Sequence, residues 1–288
     1  AASDYASDIS SFNSNGYTVS SANEVNGNSD ALVAWAWKAG GAAVSNTDGT
    51  ITSSVSANQT HGFSIVSYTG NSTQGASVGH GLSAAPSWMI VKRTDAAASW
   101  AVGHSGLGGW NKVLYLQDSS SVYTQPEPFN GTTPTSSVFE LYDSGSTIAN
   151  GGSYIAYCWS EVAGYSKFGT YTGGSGTQSI TGLGFKPRFV ILKRTDSSSN
   201  WWIQDSARGP SSSDQLYADL SAQEQGGPTI SFDTDGFTFQ NYTGGANTSG
   251  GSYIYMAFAA GGDGADLDSL LDTPEQRSDQ TDTGVGGE

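Results

Sequence analysis

The sequence predicts an all-β fold of tandem β-sandwich or jelly-roll-like repeat units, each of about 100 residues. Three observations predict it. The chain is written nearly twice: Pro86-Ser87-Trp88-Met89-Ile90-Val91-Lys92-Arg93-Thr94-Asp95 returns as Pro187-Arg188-Phe189-Val190-Ile191-Leu192-Lys193-Arg194-Thr195-Asp196, 101 positions later. Self-similarity at a fixed period marks stacked units. The composition is that of a turn-rich β protein, with 39 Gly among 288 residues and only 13% charged side chains. Finally, short β-branched and aromatic runs bounded by Gly, Asn, Asp and Ser recur along the chain, with no helical period between them.

Taken in order, the first full unit, residues 61–162, offers runs at Phe63 to Tyr68, Trp88 to Val91, Val113 to Leu116, Val138 to Tyr142 and Tyr154 to Trp159. The last is bulky on both faces, which predicts a central strand covered on both sides. The second unit, residues 163–262, repeats the pattern at Phe168 to Tyr171, Phe189 to Leu192, Trp201 to Ile203, Ile230 to Phe232, Phe237 to Phe239 and Tyr253 to Phe258. Asp235-Gly236 between two apolar runs signals a tight hairpin. Asp233-Thr234-Asp235-Gly236 also resembles the opening of a calcium loop, but no glutamate follows at the required spacing, and turn geometry is the better reading.

Residues 1–45 read as the C-terminal part of a preceding repeat. Phe12 to Val19 resembles Phe232 to Phe239, and Leu32-Val33-Ala34-Trp35-Ala36-Trp37 fills the strand slot of Tyr154 to Trp159. A Ser/Thr-rich connector is expected over 46–60. Residues 263–288, with Leu267, Leu270 and Leu271 ahead of an acidic run, read as a polar linker to a further region. Both ends look like cuts through a longer polypeptide.

Charge and cysteine usage narrow the partners. With 11 Lys and Arg against 26 Asp and Glu the net charge is −15, a surface that repels phosphate backbones and anionic lipid. No apolar run approaches the roughly 20 residues a membrane-spanning helix needs. The single cysteine, Cys158, stands where the other copies carry Ala36 and Ala257, a slot for a small packed side chain.

The internal copy tests each chemical candidate. Gly75-Ala76-Ser77-Val78-Gly79 matches the Gly-x-Ser-x-Gly elbow of hydrolases, but no helix follows, and the second copy has Gln178 and Ile180 in place of Ser77 and Gly79. His61, His80 and His104 belong to no spaced metal motif, and the last two correspond to Thr181 and Asp205. No catalytic residue, metal ligand or cofactor motif is therefore assigned. The charged cluster kept in both copies is Lys92-Arg93-Thr94-Asp95 and Lys193-Arg194-Thr195-Asp196. At a strand end, Lys92, Arg93 and Asp95, like Lys193, Arg194 and Asp196, can clasp the following turn; a ligand-binding pair at a loop rim is the alternative. Sugar recognition needs an exposed aromatic ring beside polar hydrogen-bonding groups. Trp110 in a Gly-rich loop and the adjacent Trp201 and Trp202, with Asp205, are the candidates, against packing on a neighbouring unit.

The stretch Tyr154-Ile155-Ala156-Tyr157-Cys158-Trp159-Ser160-Glu161-Val162-Ala163-Gly164-Tyr165-Ser166-Lys167-Phe168-Gly169, followed by Lys186 to Asp196, resembles a repeat family in structural proteins of tailed bacteriophages, especially phages of cyanobacteria and other aquatic bacteria. The resemblance spans residues 9–262 and implies a virion appendage protein of the tail-fibre kind, with no catalytic residue to carry over. In that family the segment resembling Asp282 to Glu288 leads into a further β domain.

The expectation is a non-enzymatic virion structural protein, a homo-oligomeric part of a tail fibre or surface fibre. Its partners would be copies of itself and other virion proteins, with host surface glycan as a further contact; nucleic acid and membrane insertion are not expected. Alternatives are a bacterial extracellular carbohydrate-binding adhesin array, a capsid decoration or head-fibre protein, and a glycan-degrading tailspike, which would need two carboxylates facing a groove.

Overall fold

Strands dominate the chain because its β-branched and aromatic residues alternate with hydroxyl side chains, and Gly closes the turns. A computed structural model describes residues 8–13, 16–125, 128–209 and 214–260; the tail expected to be a linker, 263–288, lies outside the described residues. The chain divides into two units, residues 1–160 and residues 161–288.

The first unit opens with a hairpin, β1 (Ile9–Asn13) and β2 (Gly16–Val19), and a four-residue helix α1 (Asn23–Asn26). There follow β3 (Val44–Asn46), β4 (Ser53–Asn58), β5 (Phe63–Thr69), β6 (Ser77–Gly79), β7 (Trp88–Arg93), β8 (Ala101–His104), β9 (Lys112–Tyr115), β10 (Tyr123–Thr124), β11 (Val138–Glu140) and β12 (Ser153–Trp159). Eight of them form one antiparallel sheet in the order β10-β9-β8-β7-β12-β5-β4-β3, and β11 pairs with β6 in a small second sheet. β12 holds the interior position its bulk requires: Tyr157 lies opposite Ile65 on one side and Ile90 on the other. Tyr154, Ala156 and Cys158 face a core shared with Val66, Tyr68, Met89 and Val91 of the large sheet and Val78 and Phe139 of the small one. On the opposite face Trp159 stacks on Phe63 at 5.0 Å.

The second unit contains β13 (Ser166–Thr172), β14 (Gln178–Thr181), β15 (Pro187–Arg194), β16 (Trp202–Asp205), β17 (Leu216–Tyr217), β18 (Ile230–Asp233), β19 (Gly236–Phe239) and β20 (Ser252–Ala259). Its large sheet runs β13-β20-β15-β16-β17 and its small one β14-β19-β18. Tyr171, Val190, Leu192, Trp202, Tyr253 and Tyr255 meet Ile180, Ile230, Phe237 and Phe239 in its core. Each buried aliphatic or aromatic side chain of this kind contributes about 1.5–3 kcal/mol. Both units are thus all-β and two-layered, consistent with the β-sandwich class.

Two expectations differ from what is found. The stretch 46–60 is not a bare connector: β4 lies within it and pairs along β5, with Val55 turned into the core and Ser54 and Ser56 outward. Conversely, Leu32 to Trp37 forms no strand, and Leu32 and Val33 are exposed. A central strand exists only between two paired neighbours, as β12 does, and among the described residues this segment belongs to no sheet. Trp37 instead meets the edge of Trp159 at 6.1 Å.

Candidate functional site

The residues kept in both copies form a device at the end of β7 and of β15. Arg93 grips Asp95 two residues on, Nε to Oδ1 at 2.8 Å and Nη2 to Oδ2 at 3.3 Å, and Arg194 grips Asp196 at 2.8 and 3.1 Å. Lys92 Nζ donates to the carbonyl of Ala98 at 2.7 Å and lies 5.7 Å from the Trp100 ring centroid. Lys193 repeats this with Ser199 at 2.7 Å and Trp201 at 5.9 Å. Between them, the amides of Thr94 and Thr195 donate to the carbonyls of Ser153 and Ser252, each at 2.8 Å. The guanidinium of Arg93 holds the Asp95 carboxyl at about 2, and that of Arg194 lowers Asp196 in the same way. These cations and carboxylates point back onto their own turn, so the arrangement closes a strand end.

A second repeated device is a stacked tyrosine pair that sequence reasoning passed over. Tyr68 and Tyr154 stack at 5.2 Å, and Tyr171 and Tyr253 at 4.6 Å. Tyr68 Oη donates to Thr147 O at 2.7 Å and Tyr171 Oη to Ala246 O at 2.6 Å. Tyr154 Oη donates to Gly145 O and accepts from the Ala149 amide; Tyr253 Oη donates to Gly245 O and accepts from the Thr248 amide. Burial pushes the Tyr68 and Tyr171 hydroxyls well above their ordinary range. They therefore hold their protons at neutral pH and anchor the loop that precedes β12 or β20. The signal was present, since all four tyrosines keep their place in both copies.

The proposed sugar platform is overturned by burial. Trp110 is tucked under the β8 backbone, edge-on to Phe129 at 5.6 Å, because its Gly-rich loop folds inward. Trp201 is fully buried, and its amide donates to Asp219 Oδ1 at 3.0 Å. Trp202 packs in the core of its unit against Tyr217 and Tyr242. Asp205, also buried, is bonded by the amides of Ala207 and Arg208 and by Arg208 Nε at 2.7 Å. None of the three rings presents an open face for a sugar.

The remaining candidates are structural as well. Ser77 Oγ accepts the Thr50 amide at 3.0 Å and begins a strand, not a strand-to-helix elbow. His104 Nδ1 accepts the Gly106 amide at 2.8 Å, capping the 3-10 turn Ser105–Leu107. Cys158 is fully buried, which pushes its thiol up to about 12. Asp235 takes the amides of Gly182 and Gly184, as a turn residue does, and among the described residues no cluster of three or more His, Cys, Asp or Glu could hold a metal ion.

His80 carries a pH dependence. Its Nδ1 accepts the Leu82 amide at 3.2 Å, so Nε2 bears the proton and donates to Thr135 O at 3.2 Å. Burial lowers its pKa, only partly offset by the Thr135 carbonyl and by Asp48. A histidine whose folded pKa lies below its unfolded value near 6.5 lets the unfolded chain bind the proton first, so stability falls as pH drops from about 6.5 toward the folded value. The slope for one group reaches at most about 1.4 kcal/mol per pH unit. The Asp95 and Asp196 carboxyls act in a separate window, losing their contribution only as pH falls below their ordinary value of 3.8. Denaturant titrations of wild type and His80→Gln from pH 8 to pH 4.5 are expected to diverge below about 6.5, the wild type falling more steeply. Parallel curves would show that His80 does not titrate with folding.

Residues 1–261 match a family described as a domain of unknown function, DUF7483. The chain belongs to this family. No curated protein and no solved structure matches it. The DUF7483 domain also has an open depression of about 590 Å³ in its first unit, whose lining includes Ser45, Ser54, Ser67, Thr69, Thr94, Ser153 and Ile155. Hydroxyls and tyrosines are its only polar side chains, so it offers no acid–base pair. Among the described residues of the domain no helix is long and apolar enough to cross a membrane.

Proposed function

We propose that this chain is a non-enzymatic structural protein of a virion, in which tandem β-sandwich units of about 100 residues form part of a tail fibre or surface fibre. The supporting observation is what the two units have in common. Both carry the Lys-Arg-Thr-Asp clasp and the stacked tyrosine pair with matching partners and distances, whereas Ser77, His80, His104 and Cys158 have no like residue at the corresponding position. Shared fasteners beside reactive groups that differ between the copies fit an architectural role. The resemblance of Tyr154 to Gly169 and Lys186 to Asp196 to phage structural repeats supplies the setting, and the low charge with net −15 fits partners that are other protein surfaces. Fibres built from repeated units usually close as symmetric homo-oligomers, which makes copies of the chain the expected partners.

Virions labelled with an antibody to this segment and viewed by electron microscopy test the reading. Label along a tail or surface fibre is the expected result. Virions without label, with the antigen on the bacterial surface instead, would overturn it in favour of an adhesin array.

A further inference from the structure

The hairpin β1–β2 repeats the register of β18–β19 over the three pairs next to the turn, before a bulge between Ile9 and Ser11. Ser11, Phe12 and Asn13 lie opposite Thr18, Tyr17 and Gly16; Ser231, Phe232 and Asp233 lie opposite Thr238, Phe237 and Gly236. In the second hairpin both the edge and the face are occupied. β19 pairs on its far side with β14, Ile180 opposite Phe237 and Thr181 opposite Gly236, and Ile230, Phe237 and Phe239 are fully buried. The first hairpin has neither neighbour: among the described residues β2 pairs only with β1, and Phe12 is 83% exposed, Ile9 42% and Tyr17 41%. A lone two-stranded hairpin is marginally stable in water, and an open edge invites pairing unless charge or proline blunts it. Residues 9–19 contain no charged residue and no proline.

Glycine 16 points to what belongs there. At its counterpart Gly236 a Cβ would lie 1.9 Å from the carbonyl oxygen of Ile180, so the approach of β14 excludes any larger residue there, in addition to a φ of +156° that itself favours glycine. At Gly16 nothing lies within 4 Å of a Cβ, and its φ is outside the left-handed range. Among the described residues neither contact nor the backbone conformation of Gly16 calls for glycine, whereas an arriving strand would. We propose that β2 is the docking edge for an extended strand of the Gln178–Thr181 type, carried by another repeat unit of this family, whose core face then covers Phe12, Tyr17 and Val19. The proposal rests on the tandem-repeat reading above. It names the partner surface: strand addition at the edge, with apolar pockets for the residues on one face.

The test titrates a fluorophore-labelled peptide of residues 174–186 against the full chain by anisotropy, with a scrambled peptide as control. Saturable binding to the wild type, weakened about tenfold or more by Gly16→Ala, is expected. The Gly16→Ala chain should keep the wild-type melting curve, since no atom opposes the added methyl. No saturable binding at millimolar peptide, or equal binding by Gly16→Ala, overturns the proposal. So does concentration-dependent dimerisation that Gly16→Ala abolishes but the peptide does not compete, which would make the β2 edge of a second copy the occupant. Failure here leaves the fibre reading standing, because that is decided by labelling virions.

Discussion

Trp202→Ala is expected to lower the stability of the second unit by about 3–5 kcal/mol, the range for removing a buried indole. The ring is 7% exposed and belongs to the core between the two sheets. Its edge meets Tyr217 at 4.9 Å and Tyr242 at 6.1 Å, and its Nε1 donates to Ser199 Oγ at 3.2 Å. Gly245 lies close enough that a Cβ there would sit 2.9 Å from the indole. Truncation therefore opens a cavity walled by backbone and two tyrosines, which cannot collapse into it without moving strands. A urea titration followed by near-UV circular dichroism would read the loss. A ring that served a ligand at the surface would instead change stability by less than about 0.5 kcal/mol, and that outcome would return Trp202 to the list of binding candidates.

The register of the first unit explains how a core residue came to look dispensable. Trp202 corresponds to Ala101, and from the sequence that pairing reads as a tryptophan the fold does not need. Ala101 is itself buried, and there the aromatic bulk enters from loops: Trp110 and Phe129 crowd the place where Gly103 lacks a side chain, 2.6 and 2.7 Å from a Cβ built there. Two units can fill similar cores by different routes, so a missing counterpart excludes a repeated chemical site but does not exclude packing. The strands built of apolar residues were legible because burial on both faces leaves an uninterrupted bulky run. β4 was not, since Ser53-Ser54-Val55-Ser56-Ala57-Asn58 needs only Val55 and small residues inside and shows hydroxyls to solvent. The clasp could be read because Arg and Asp two residues apart at a strand end reach each other without tertiary help. The tyrosine pair needs carbonyls some 75 to 79 residues away in the chain, which spacing alone does not bring together.

Gly70→Ala and Gly173→Ala are expected to be about equally damaging, near 3 kcal/mol each, the upper part of the range for overpacking. Each glycine follows the last residue of an equivalent strand and exchanges backbone hydrogen bonds with a loop: Gly70 with Gly151 and Gly152, Gly173 with Gly250 and Gly251, at 2.8–2.9 Å. The loop passes so near that a Cβ would stand 2.3 Å from the Ala149 oxygen at Gly70 and 2.1 Å from the Thr248 oxygen at Gly173. Because the obstructing atom is a backbone carbonyl, no rotamer change relieves the overlap. The loop must lift, and with it the anchors of Tyr154 and Tyr253, whose hydroxyls accept the amides of Ala149 and Thr248. Gly145→Ala serves as the control, since nothing lies within 4 Å of its Cβ, and it should stay within about 0.5 kcal/mol of wild type. Similar losses at Gly70 and Gly173 would mean that the two units enforce the same close approach. A large loss at one and none at the other would break the equivalence on which the tandem reading stands.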